Sequence, residues 1–198
     1  MTSALPEIHV IRHGETAWTR SGRHTGLSDI PLTERGEQQA RQFGEHLRGR
    51  TFPHVFTSPL CRASRTCELA GFGAVRVTDP DLVEWNYGDY EGLTTPEILS
   101  RRPGWQLFRD GCPHGESAVD VGRRADRVIA RLRALDADAL LFSSGHFLRV
   151  FAARWTGLDA SGGRLFLLST TTLSILGYEH DRREPVIRLW NDVRPGLE

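Results

Sequence analysis

The sequence predicts an α/β fold: a three-layer α/β/α sandwich around a mainly parallel central sheet. Three observations predict it. Short apolar runs read as buried strands, amphipathic stretches with capping residues lie between them, and no repeat or Pro/Gly/Ser-rich linker divides the 198 residues. The whole of 1–198 therefore reads as one domain, long enough for a substantial core.

The first strand is Ile8–Ile11. Thr33 then caps a helix in which Ala40, Phe43 and Leu47 recur at helical spacing. His54–Thr57 is the second strand, and Pro59 opens a helix with Ala63, Cys67 and Ala70 on one face. Val75–Thr78 is the third. Residues 84–116, rich in Gly, Trp, Tyr and Pro, exceed a simple connector and read as an insertion over the site. Ser117 and Asp120 form a capping box ahead of Val121, Ala125, Val128, Ile129, Leu132 and Leu135. Leu140–Ser143 is a strand running directly into a helix marked by Phe147, Val150, Phe151 and Trp155. Leu165–Tyr178 and Val186–Trp190 close the list of strands, with Thr170–Ile175 as an exposed edge available for a homodimer.

Composition narrows the function. The formal net charge is zero, which argues against nucleic acid or an anionic membrane as a partner. All 25 cationic side chains are arginine, so a Walker loop, a pyridoxal Schiff base and a lysine base are excluded. Cys61, Cys67 and Cys112 have neither disulfide parity nor metal-ligand spacing. The N-terminal residues show no charged-then-apolar signal pattern, and no apolar run reaches about 18 residues, so the expected location is cytoplasmic.

Three segments carry chemistry. Val10-Ile11-Arg12-His13-Gly14-Glu15-Thr16 puts an arginine and a histidine at a strand's carboxyl end, where α/β folds bind ligands. The arginine can fork onto a phosphate, and a neutral imidazole can attack phosphorus. Thr57-Ser58-Pro59-Leu60-Cys61-Arg62 places a second arginine in the first turns of a helix, whose N-terminus attracts anions. Ser143-Ser144-Gly145-His146-Phe147 repeats the strand-to-helix pattern, with the Gly145 and His146 amides as phosphate donors. Between them, Glu84 follows two apolar residues and precedes Trp85. A partly apolar pocket would raise its pKa and suit a general acid, although spacing does not separate it from Asp89 or Glu91. No cysteine has an arginine six positions later, and no His/Asp cluster suits a two-metal site. A metal-free, cofactor-free histidine nucleophile remains.

Together these segments resemble the histidine phosphatase superfamily, the phosphoglycerate mutase-like fold family. The likeness rests on Arg12-His13-Gly14-Glu15-Thr16, Gly22-Arg23-His24-Thr25-Gly26, Leu32-Thr33 with Gly36, Ser58-Pro59-Leu60 with Arg62 and Thr66, and Glu84, Gly88 and Glu91-Gly92. A narrower likeness, through residues 84–92, 111–117 and 145–149, is to a branch of small acid phosphatases and sedoheptulose-bisphosphatase-like enzymes. The resemblance implies that His13 forms a phosphohistidine, that Arg12 and Arg62 clamp the phosphoryl oxygens, and that Glu84 protonates the leaving group. It also implies that Thr19, Thr25 and Gly26 line the phosphate pocket, Thr19 standing where asparagine is usual.

One departure matters. The family's second catalytic histidine stands immediately before the glycine of the late strand-to-helix turn, and here that residue is Ser144. A serine can hydrogen-bond a phosphate oxygen but carries no charge. The loss is about 1.5–3 kcal/mol, roughly tenfold to two-hundredfold in rate. His146, two positions on, points elsewhere in such a turn and is ranked last as a replacement. The expected function is hydrolysis of a small phosphorylated metabolite, a sugar phosphate by class. The alternatives are a phosphoglycerate-type mutase and a phosphate-binding protein without turnover. Arg101, Arg102 and Arg109, with Trp85, Tyr87, Tyr90 and Trp105, are the expected source of substrate choice, including a second anion site.

Overall fold

A computed structural model describes residues 5–193. Its six-stranded sheet has the order β3-β2-β4-β1-β5-β6. The strands are β1 (Ile8–Arg12), β2 (His54–Thr57), β3 (Arg76–Thr78), β4 (Ala139–Ser143), β5 (Leu173–Tyr178) and β6 (Pro185–Asp192). The first four are mutually parallel, whereas β5 runs antiparallel to β1 and β6 antiparallel to β5. The helices are α1 (Ala17–Ser21), α2 (Glu34–His46), α3 (Cys61–Cys67), α4 (Thr95–Arg101), α5 (Leu107–Asp110), α6 (Ala118–Arg133) and α7 (Gly145–Trp155).

The central strands β1 and β4 are mostly apolar because both of their faces are covered, with His9 as the buried polar residue within β1. Along β1, Ile8 and Val10 join the core beneath α6 and α7, while Ile11 joins Phe43 of α2 and Cys67 of α3 on the other face. Strand β4 alternates likewise: Ala139 and Leu141 point to one side, Leu140 and Phe142 to the other. Thr33 and Ser117 act as the expected N-caps, accepting from the Gly36 and Asp120 amides. Both helices then bury the apolar stripe that their spacing prescribes.

The pairing brings three strand ends together. Arg12 stands beside Ser143, and Thr57 beside Phe142. Backbone bonds from His13 to Ser143 (3.0 Å) and from Ser58 to Phe142 (2.9 Å) extend the register past the strands.

Three expectations need correction. The strand expected over Leu165–Tyr178 begins only at Leu173. Residues Ala160–Leu165 form a 3-10 turn, and Thr171 takes a positive φ of 55° while its amide reaches back to the Arg12 and His13 carbonyls. The segment is therefore drawn across the site instead of extending the ladder. Thr170–Ile175 is not an edge either, because β5 lies between β1 and β6; the edges are β3 and β6. Pro59 lies outside α3, whose N-cap is Leu60. Among the described residues, no helix is long and apolar enough to cross a membrane.

Candidate active site

A cavity of about 180 Å³ lies at the carboxyl ends of β1 and β4. Arg12, His13, Glu84, Tyr87, His146 and Arg149 are among the residues lining it.

His13 is 3% exposed. Its Nδ1 lies 2.8 Å from the Gly14 carbonyl, which can only accept, so Nδ1 carries the proton and Nε2 keeps a lone pair. Burial holds its pKa well below the usual histidine range, and the charges of Arg62 and Arg12 lower it further. The ring is neutral. Thr66 fixes the backbone beside it, accepting from the Gly14 amide at 3.0 Å and donating to the Arg62 carbonyl at 2.6 Å. Thr66 sits one helical turn after Arg62, a spacing that lets α3 hold both parts of the site.

The two arginines are anchored by backbone carbonyls. Arg12 donates through Nη1 to Leu168. Its guanidinium packs against the first turn of α7, where a Cβ on Gly145 would stand 3.1 Å from the guanidinium carbon. Glycine at 145 allows that approach. Arg62 is fully buried, with Nη1 on the Ser28 carbonyl and Nη2 on the Thr25 and Gly26 carbonyls. The fork expected to face a phosphate is thus occupied, and Arg62 does not itself line the cavity. What both arginines retain is Nε: Arg12 Nε and Arg62 Nε are buried without a hydrogen-bond partner. Ser144 Oγ shares that condition. It is the N-cap residue of α7, yet its side chain makes no capping bond.

Glu84 is 4% exposed, but the expected apolar pocket is not what meets its carboxylate. Oε1 accepts from the amides of Trp85 (2.8 Å) and Phe147 (2.7 Å), and Oε2 from that of His146 (3.0 Å). The His146 amide expected to hold a phosphate therefore holds Glu84, at the N-terminus of α7. The rival carboxylates fall outside the cavity: Glu91 accepts from the Gly26 and Ser28 amides, and Asp89 pairs with exposed His114. Arg124 secures the strand of chain that carries Glu84. It donates to the carbonyls of Asp81, Val83 and Glu84 and to both oxygens of Glu116.

The remaining expected residues divide. Thr19 and Thr25 line the cavity, although the Thr19 hydroxyl is engaged with the Thr16 backbone. Gly26 does not: its amide goes to Glu91 and its carbonyl to Arg62. Gly145 and His146 both line it. The His146 ring accepts at Nδ1 from the Tyr87 hydroxyl (2.5 Å), since burial keeps that phenol protonated. Burial also keeps the His146 ring neutral. Trp85, Tyr90 and Trp105 are core residues, and Arg102 and Arg109 pair with Asp110 away from the cavity. Arg149 and His24 line the cavity and Arg124 supports it, roles that the sequence does not announce. Their types carry no signal until the fold turns them inward.

Of the described residues, Glu179, His180 and Glu184 alone form a close group of metal-ligand type. They are exposed on the β5–β6 hairpin and do not line the cavity.

A neutral buried histidine beside arginines and a carboxylate, at the strand ends of this sheet, defines a histidine phosphatase. The chain belongs to the histidine phosphatase superfamily (branch 1), whose family model matches residues 8–193. It is similar to an acid phosphatase of Mycobacterium tuberculosis, 42% identical with 88% of each chain covered. It is also similar to the sedoheptulose 1,7-bisphosphatase of Saccharomyces cerevisiae, 40% identical over 80% of this chain and 70% of that one. A functionally characterised open-reading-frame product of M. tuberculosis shares the fold with a TM-score of 0.88. That solved structure is 38% identical, with 94% of this chain and 97% of the other covered. The chain is a phosphatase of this superfamily.

Proposed function

We propose that the chain hydrolyses a phosphomonoester of a small metabolite through a phosphohistidine at His13. The observation that carries this reading is a neutral His13 with Nε2 free, accompanied by three buried donors that have no partner: Arg12 Nε, Arg62 Nε and Ser144 Oγ. Unpartnered buried donors are costly in a protein interior, and an anionic group would satisfy them.

In the first step the Nε2 lone pair forms a bond to phosphorus as the bond to the alcohol oxygen breaks. The alkoxide takes a proton from Glu84, whose Oε2 accepts only one amide and has room for it. In the second step Glu84 removes a proton from water, the water oxygen bonds to phosphorus, and the N–P bond breaks to release inorganic phosphate. Positioning and charge stabilisation do most of this work, and the two guanidinium groups supply both.

Ser144 weakens the clamp by offering a neutral donor. The test is phosphate release from an aryl phosphomonoester, with chelator present, by this chain and by Ser144→His side by side. The expected gain is roughly tenfold to two-hundredfold. Equal, robust rates would show that another group serves in place of the missing histidine. Silence from both proteins would overturn the reading.

A further inference from the structure

Two unfavourable features meet at Thr171. The first is conformational. Of the non-glycine residues described, His114, Thr171 and Asn191 have a positive φ, and Thr171 alone of these is β-branched. A β-branched side chain in the left-handed region crowds its own backbone, and such strained residues gather at functional sites. The second feature is polar. Thr171 is 1% exposed, and its hydroxyl has no hydrogen-bond partner. Its neighbours are engaged: the Thr172 hydroxyl donates to the Ser169 carbonyl (2.8 Å), and that of Ser174 accepts from the Asn191 amide (3.0 Å). Among the described residues, Ser144 is the other buried serine or threonine whose hydroxyl lacks a partner.

The sheet puts these two residues on opposite flanks of the nucleophile. In the parallel β1–β4 pair Arg12 is level with Ser143, so one step further His13 is level with Ser144. The His13 amide bonds the Ser143 carbonyl (3.0 Å), as that register requires. In the antiparallel β1–β5 pair Ile11 is level with Leu173, so two steps further His13 is level with Thr171. The Thr171 amide donates to the carbonyls of both Arg12 (3.0 Å) and His13 (3.2 Å). Across the strand ends the order is Ser144, His13, Thr171.

A transferring phosphoryl group spreads its charge over three equatorial oxygens, which take donors from more than one side. Arg12 Nε, Arg62 Nε and Ser144 Oγ are the unpartnered donors already described, and a hydroxyl on the β5 flank adds a fourth. We propose that Thr171 is a further catalytic residue: its hydroxyl donates to the phosphoryl group passing to His13, from the flank opposite Ser144. This rests on the phosphatase reading above. An anion at His13 would satisfy both leftover hydroxyls, and the strained turn at Thr171 is retained because it keeps a hydroxyl in that row.

The experiment compares the parent with Thr171→Val and Thr171→Ser. It reads kcat and KM on an aryl phosphomonoester, calorimetric affinity for orthovanadate, and Tm. Orthovanadate adopts the five-coordinate geometry of the transferring group. Thr171→Val deletes the hydroxyl while keeping the shape and the strain. It should lower kcat and vanadate affinity roughly tenfold to two-hundredfold, with KM moving less than about threefold and Tm unchanged or raised. Thr171→Ser keeps the hydroxyl and should stay within about threefold of the parent in every kinetic and binding quantity. Thr171→Gly, which adopts a positive φ freely and also lacks the hydroxyl, replaces the valine variant should that one not fold. Parent-like kcat and vanadate affinity without the hydroxyl overturn the assignment alone. A Tm lowered by several degrees, with kcat and KM affected alike, makes the hydroxyl a support of the fold and overturns it too. A parent that neither binds vanadate nor turns over the ester overturns the phosphatase reading together with it.

Discussion

Truncating Ser144 to alanine separates folding from function at this site. The hydroxyl is fully buried, makes no capping bond to α7, and has no hydrogen-bond partner. Ser144→Ala therefore breaks no protein hydrogen bond, and it removes a buried polar group whose desolvation costs about 1–3 kcal/mol. The variant should be as stable as the parent or more stable by about 1 kcal/mol, which in a chain of this size is a rise of about 2–4 °C in Tm. Phosphate binding should move the other way. One hydrogen bond to a charged oxygen contributes about 1.5–3 kcal/mol, so affinity for inorganic phosphate should fall roughly tenfold to two-hundredfold. Differential scanning calorimetry and phosphate titration of the two proteins read both quantities. A Tm lowered by several degrees would mean that the hydroxyl supports the fold. An unchanged phosphate affinity would mean that it faces no anion, and either result would exclude Ser144 as a phosphate donor that the fold does not need.

Two further outcomes follow. His9 is fully buried, its ring nitrogens make no hydrogen bond although Nε2 lies 3.4 Å from the Glu7 carboxylate, and burial, aided by Arg50, lowers its pKa to about 4. Between about pH 6.5 and 4 the unfolded chain binds a proton at His9 that the folded chain refuses, so the His9 contribution to stability falls as pH drops through that window and is constant above it. His9→Leu should shrink the stability loss between pH 7 and pH 4.5 by about 2–3 kcal/mol in urea titrations; identical pH dependence would contradict the cause given. Arg124→Gln should lower kcat at least about tenfold, because it frees the backbone that aims Glu84, while KM moves much less; equal effects on both would reduce Arg124 to a structural support.

Much of this was legible in the sequence because local and global signals agree. The run from Ile8 to Ile11 has apolar residues on both faces, which marks a central strand and puts Arg12 and His13 at the ligand-binding end. Thr33 and Ser117 announced their helices through capping chemistry that depends on three or four neighbours only. The errors arose where distant contacts decide. Thr171 looks like strand, yet its bond to the Arg12 and His13 carbonyls turns the chain out of the ladder. Glu84 looks like a carboxyl among apolar neighbours, but the amides that meet it come partly from α7, some sixty residues away. Arg149 shows no sign of its role, because a turn fourteen residues later fixes its direction.

The phosphohistidine at His13 is tested most directly by rapid acid-free quenching of the protein during turnover of an aryl phosphomonoester, followed by proteolysis and mass spectrometry. The expected product is a phosphoryl group on the imidazole of His13, absent from His13→Ala and discharged by water as inorganic phosphate appears. Hydrolysis that proceeds undiminished in His13→Ala, or a phosphoryl group trapped on another side chain, would contradict it.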